Sequence, residues 1–122
     1  MRRIYDGKEV INGVVFIKEK KDFDSIINMV QYIKKSCYTK GMCLEYCFLD
    51  DSSEDDIYRE TFKRFMMELE SMDIRLIVIR SLEDISCKSD EREAFLKVMN
   101  DEGVGVYLFN EGCFATVNYN EC

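Results

Sequence analysis

Histidine is absent from this chain of 122 residues, and so are proline and tryptophan. Without histidine the commonest general base and a usual zinc ligand are missing. The six cysteines contain no Cys-x-x-Cys pair, which removes the common redox and zinc patterns. Cys43 and Cys47 fall on one face of an expected strand, but about 13 Å apart at some 3.3 Å per residue, too far to share a metal. No metal site and no cofactor is therefore expected. No apolar run approaches the roughly 20 residues of a membrane span, and the opening MRRIYDG has no apolar signal core. A soluble, cytoplasmic protein with no membrane contact is expected, its cysteines in a reducing compartment. No repeat, low-complexity tract or proline-rich linker divides the chain, so residues 1–122 read as one domain.

Hydrophobic residues make up 47% and charged residues 34%, an ordinary globular balance that can build a core without staples. The formal net charge of −7 repels polyphosphate, and the basic residues are scattered rather than gathered into a phosphate track.

Periodicity yields alternating strands and helices. The run 13–19 is apolar and β-branched, and a helix over 22–40 follows with Ile26, Ile27, Val30 and Ile33 on one face. Asp22 or Asp24 can cap it and Gly41 stops it. Residues 43–48 form a second strand, and the acidic stretch 49–56 reads as a solvated loop that caps a helix over 55–71. That helix shows Ile57, Phe62, Phe65, Met66 and Leu69 at core spacing. Residues 74–80 are almost continuously apolar, as for a central parallel strand. A polar turn then leads to a helix over 89–102, opened by Ser89 or Asp90, with Phe95, Leu96 and Met99 inward and Gly103 at its end. Residues 104–110 make the fourth strand. The expectation is an α/β fold of three layers around a mostly parallel four-stranded sheet. Asp6-Gly7 suggests a hairpin extension over 1–12, and 112–122 read as a tail or an extra edge strand.

Several residues in this order give the chain a family likeness. The first strand ends Phe16-Ile17-Lys18-Glu19-Lys20, the middle helix carries Arg59-Glu60-Thr61-Phe62, and the third strand runs into Leu82-Glu83-Asp84-Ile85-Ser86-Cys87. Ala94-Phe95-Leu96, Gly103-Val104-Gly105-Val106 and Phe109-Asn110-Glu111 follow. Over residues 13–111 this pattern resembles the serine recombinase (resolvase/invertase) catalytic domain. The resemblance implies a strand order of 2-1-3-4. It also implies a chemistry in which a serine hydroxyl attacks a DNA phosphodiester while arginines neutralise the phosphoryl group.

The residues for that chemistry are substituted. Lys20 stands at the family's nucleophile position and Lys18 at its strand arginine, while Asp84 and Cys87 stand at the two arginines after the third strand. Arg59 alone is in register. Shifting the frame to Ser25 would put the hydroxyl inside a helix, and Arg80 would precede the turn. The family's long dimerisation helix and helix-turn-helix have no counterpart after Glu111, so tight sequence-specific DNA binding is not expected. Two functions follow from the resemblance and its losses. One is a catalytically inactive module that forms a homodimer or binds a recombinase partner. The other is an anion- or nucleotide-binding domain, or an enzyme of altered chemistry, using Lys18, Lys20 and Arg59 at the strand C-termini. In that arrangement Asp84 and Glu83 would compete for the lysines, and Cys87, lacking a histidine and facing Asp84, would stay inert. A receiver domain is a weaker reading, because the first strand leads into lysines, not an acidic pair, and the third ends Arg80-Ser81 without a phosphoacceptor aspartate. The absence of Gly-x-Gly-x-x-Gly excludes a dinucleotide fold.

Overall fold

The computed structural model describes the backbone of residues 2–5 and 8–115 and the side chains from Asn12 to Ala115. Six strands and three helices follow one another: β1 (Arg2–Tyr5), β2 (Lys8–Lys18), α1 (Phe23–Tyr38), β3 (Met42–Asp50), α2 (Glu60–Met72), β4 (Leu76–Ile79), a 3₁₀ turn (Leu82–Asp84), α3 (Ser89–Asp101), β5 (Gly105–Leu108) and β6 (Cys113–Ala115). β3, β2, β4 and β5 lie side by side and parallel, and β6 adds an antiparallel edge next to β5. The expected order 2-1-3-4 is thus present, with the extra edge strand. β1 pairs antiparallel with the first half of β2, along the same edge that β4 occupies further on. The Asp6-Gly7 turn lies outside the described residues.

Each face of the sheet has its own core. Val15, Ile17, Leu44, Leu76 and Val78 pack under Ile26, Val30, Ile33 and Cys37 of α1. On the other face Val14, Phe16, Ile77, Ile79 and Leu108 pack under Phe62, Phe65 and Leu69 of α2 and Phe95, Leu96 and Met99 of α3. Every residue of β4 is buried, which is why its sequence is apolar throughout instead of alternating. Ile27 is only half-buried, and Ile57 belongs to the loop before α2, not to the helix.

The helix ends follow local chemistry. Asp22 caps α1, its carboxylate accepting from the backbone N–H and the hydroxyl of Ser25 at 3.1 and 2.8 Å. Gly41 and Gly103 take positive φ after α1 and α3. α2 starts at Glu60, later than expected, and its N-cap Arg59 and that of α3, Lys88, make no side-chain capping bond. The acidic loop therefore does not cap α2.

Gly13 sits where β2 is pressed closely between β3 and β4. A Cβ there would meet Leu44 Cδ2, Leu76 Cδ2 and the Leu76 carbonyl oxygen at 3.0 Å each. Directly after Gly13 the register with β3 slips by one residue, from Gly13 opposite Leu44 to Val14 opposite Tyr46. This β-bulge at Glu45 reverses which face the later residues of β3 meet. Leu44 faces α1, whereas Phe48 packs in the α2 layer. Cys43 and Cys47 consequently face opposite sides of the sheet, which corrects the one-face reading of their spacing. Cys37, Cys43, Cys47 and Cys87 are free thiols. Among the described residues no cluster could hold a metal, and no helix is long and apolar enough to cross a membrane.

Candidate functional site

In a parallel sheet the loops at the carboxyl ends of the strands gather at one end, and here they hold most of the buried charge. The bulge brings Asp50, the last residue of β3, onto the α2 face opposite Lys18. Its side chain is fully buried, and Oδ2 accepts from Arg59 Nε at 2.7 Å. Its Oδ1 accepts from the Ser52 N–H at 2.9 Å. Reading Asp50 as part of a solvated acidic loop is corrected: only the later carboxylates of that loop stand in water.

Arg59 is 2% exposed. Besides Asp50, its guanidinium donates to the carbonyls of Asp56 at 2.8 Å, Ile85 at 2.6 Å and Asp84 at 2.9 Å. It also lies over the Phe62 ring at 5.1 Å. One side chain thus ties the end of β3, the loop before α2 and the turn after β4.

A second guanidinium stands beside it. Arg80, directly after β4, donates Nε and Nη2 to the two oxygens of Asp84 at 2.9 and 3.0 Å. Nη1 reaches Glu19 Oε1 at 2.8 Å and Met29 Sδ at 3.6 Å, and Nη2 reaches the Lys18 carbonyl at 2.6 Å. All five N–H groups of Arg80 are therefore used. The bond from Arg80 holds the Glu19 carboxyl below its ordinary range. Burial pushes the Asp84 carboxyl up, against the pull of Arg80.

A third knot fastens α3. Glu91 Oε1 accepts from the Ser86 hydroxyl at 2.7 Å and from the Ile57 N–H at 3.0 Å. Ser86 in turn takes the Lys88 N–H on its hydroxyl and Arg92 Nε on its carbonyl.

The residues singled out from the sequence are not gathered around one space. Lys18 Nζ donates to the Ser52 carbonyl at 2.9 Å, on the Arg59 side of the sheet. Lys20 is exposed and lines an open cleft of about 580 Å³ on the α1 side with Lys21, Phe23 and Leu49. Asp84 pairs with Arg80 and not with a lysine, and Glu83 is exposed. Cys87 is exposed; desolvation and the nearby Asp55 push its thiol up, so Asp55, not Asp84, is its acidic neighbour. Asp50 and Arg80 were missed as site residues. The i,i+4 spacing of Arg80 and Asp84 was a legible signal, whereas Asp50 depends on a bulge that has none.

No protein-family model matches the sequence, and comparison with curated proteins gives no match. The fold does match solved structures. The N-terminal catalytic domain of TP901-1 integrase superposes with a TM-score of 0.67 at 12% identity, over 84% of this chain and 80% of that one. The C-terminal catalytic domain of ISC1926 TnpA, an IS607-like serine recombinase, gives 0.67 at 13% identity, over 80% and 69%. The chain has the serine recombinase catalytic-domain fold. A resolvase family site-specific recombinase from Streptococcus pneumoniae agrees, with a TM-score of 0.63 at 14% identity over 85% of this chain and 75% of that one.

Proposed function

We propose that this serine recombinase fold has lost strand-transfer chemistry and works as a protein-interaction module, as a homodimer or as a modulator of a site-specific DNA recombinase. The observation that carries this reading is the engagement of Arg59 and Arg80 by the protein's own acceptors, four bonds on the buried Arg59 and five on Arg80. Phosphoryl transfer requires cationic donors aimed at the developing charge and free to meet it. Here the two guanidiniums at the strand C-termini spend their N–H groups on Asp50, Asp84, Glu19 and main-chain carbonyls. Lys20, at the nucleophile position, offers no hydroxyl, and an ammonium cannot form the family's ester link to phosphate.

The alternative, an anion site built from Lys18, Lys20 and Arg59, is disfavoured by the same contacts. Arg59 is enclosed, Lys18 is bonded to Ser52, and Lys20 opens onto the other side of the sheet. The test is incubation of the purified chain with supercoiled DNA carrying recombination sites, followed by denaturing electrophoresis. The expected result is neither a nick nor a denaturant-resistant protein–DNA adduct. Light scattering of the chain alone and mixed with a recombinase tests the interaction half of the reading, and a persistent monomer in both would refute it.

A further inference from the structure

α2 and α3 lie on the same face of the sheet without closing on each other. Between them runs an apolar groove made of two adjoining hollows of about 210 and 190 Å³, which share Met66 and Val98 as walls. Phe62 and Phe95, in edge contact at 5.8 Å, form part of its floor. Val98, which lines both hollows, is 47% exposed, so the apolar lining reaches the surface there. Methionine walls adapt to differently shaped apolar partners because the side chain is unbranched and polarisable.

The charged residues of the groove lie at one end, in the larger hollow, and acids outnumber bases there. Its ionic lining is Glu70, Glu102 and Arg75, with no lysine. Arg75 is already held by Asp73 at 3.3 Å and by the Glu102 carbonyl at 3.1 Å. Glu70 and Glu102 line the same end, and the ion pair of Arg75 is with Asp73 and not with either of them. Each wall is a helix of 13 residues, about 20 Å long at 1.5 Å per residue, which matches three to four turns of a docked helix.

We propose that this groove receives an amphipathic helix from a partner protein, apolar on the buried side and carrying lysines or arginines where it passes Glu70 and Glu102. An apolar trench between two helices fits a third helix bearing anchors at i, i+3, i+4 and i+7, and the acidic end selects a basic one. The inference rests on the reading of this domain as an interaction module and names the chemistry of its partner.

The probe is a labelled helical peptide of about 14 residues, with leucines at those four positions and lysines beside them, compared with a glutamate-flanked peptide of the same apolar face. Binding to the full chain is followed by anisotropy and by NMR shifts. The lysine peptide should bind saturably and about tenfold tighter than its acidic twin, with shifts centred on Met66, Ala94 and Val98. Val98→Glu and Ala94→Glu alter exposed positions and should each weaken binding about tenfold while the melt of the protein is retained. Equal affinity for both peptides, shifts on another face, or indifference to both substitutions would overturn the proposal. So would self-association of the chain through this groove, abolished by Val98→Glu, because the occupant would then be a second copy. DNA cleavage by the chain would refute the loss of chemistry without touching the groove, so the two failures are distinguishable.

Discussion

Asp50→Asn removes one charge from the Asp50–Arg59 pair while keeping its volume, and it should be the most damaging conservative change near the strand ends. Both side chains are without solvent exposure, so no water can replace the lost partner. The two carboxylate oxygens each accept one bond, from Arg59 Nε and from the Ser52 N–H. An asparagine amide can serve only one of them, and its NH₂ group meets the other donor head on. Removing one partner of a buried pair is worth about 3–5 kcal/mol, because the remaining charge stays in low dielectric. That is a large part of the roughly 5–15 kcal/mol that holds a domain folded. With a urea slope of about 1–3 kcal/mol per M, the midpoint should fall by about 2 M. Equilibrium urea unfolding followed by far-UV circular dichroism measures it. Asp50→Asn combined with Arg59→Met should lose less than the sum of the single changes, by about 0.5–3 kcal/mol. A single-variant loss below about 1 kcal/mol, the range of exposed pairs, would refute the claim that this pair is buried and structural.

Other expectations follow from the same geometry. Gly13→Ala forces a methyl against Leu44 and Leu76 at 3.0 Å and should destabilise by about 1–3 kcal/mol through overpacking, read as a lower melting temperature; an unchanged melt would mean that β2 and β4 can move apart. Lys20→Ser puts a hydroxyl where the sequence resemblance implies the family's nucleophile, yet no denaturant-resistant DNA adduct should form while Arg59 and Arg80 stay tied, and an adduct would show that those ties open. The lowered carboxyl of Glu19 contributes stability that is present above its unfolded value of about 4.3 and is lost as pH falls through the folded value. The stability difference between the chain and its Glu19→Gln variant should accordingly shrink as the medium is made more acidic than that, in urea titrations at stepped pH; a difference that grew on acidification would contradict the sign. Duplex DNA binding at physiological salt should stay within the non-specific range of about 10⁻⁴ to 10⁻⁶ M, and nanomolar affinity with a steep salt slope would contradict it.

The order of strands and helices, and the residues that face each core, were legible in the sequence because they obey local rules. The apolar run 76–79 within the expected strand has no polar face, as a central strand requires, and β4 is buried throughout. Asp22, Gly41 and Gly103 mark helix ends through bonds and dihedral angles confined to a few neighbouring residues. The family likeness too rested on segments in sequence order, and the fold comparisons agree with it. Apart from the i,i+4 spacing of Arg80 and Asp84, the site was decided by tertiary structure. One inserted residue at Glu45 turns Asp50 from the α1 face to the α2 face, and a shift of one in a period of two leaves no mark in composition. Arg59 gathers acceptors from residues 50, 56, 84 and 85, and Arg80 gathers them from residues 18, 19, 29 and 84. Those partners are brought together by parallel crossovers, so no local pattern distinguishes a guanidinium that is tied into the fold from one held ready for phosphate.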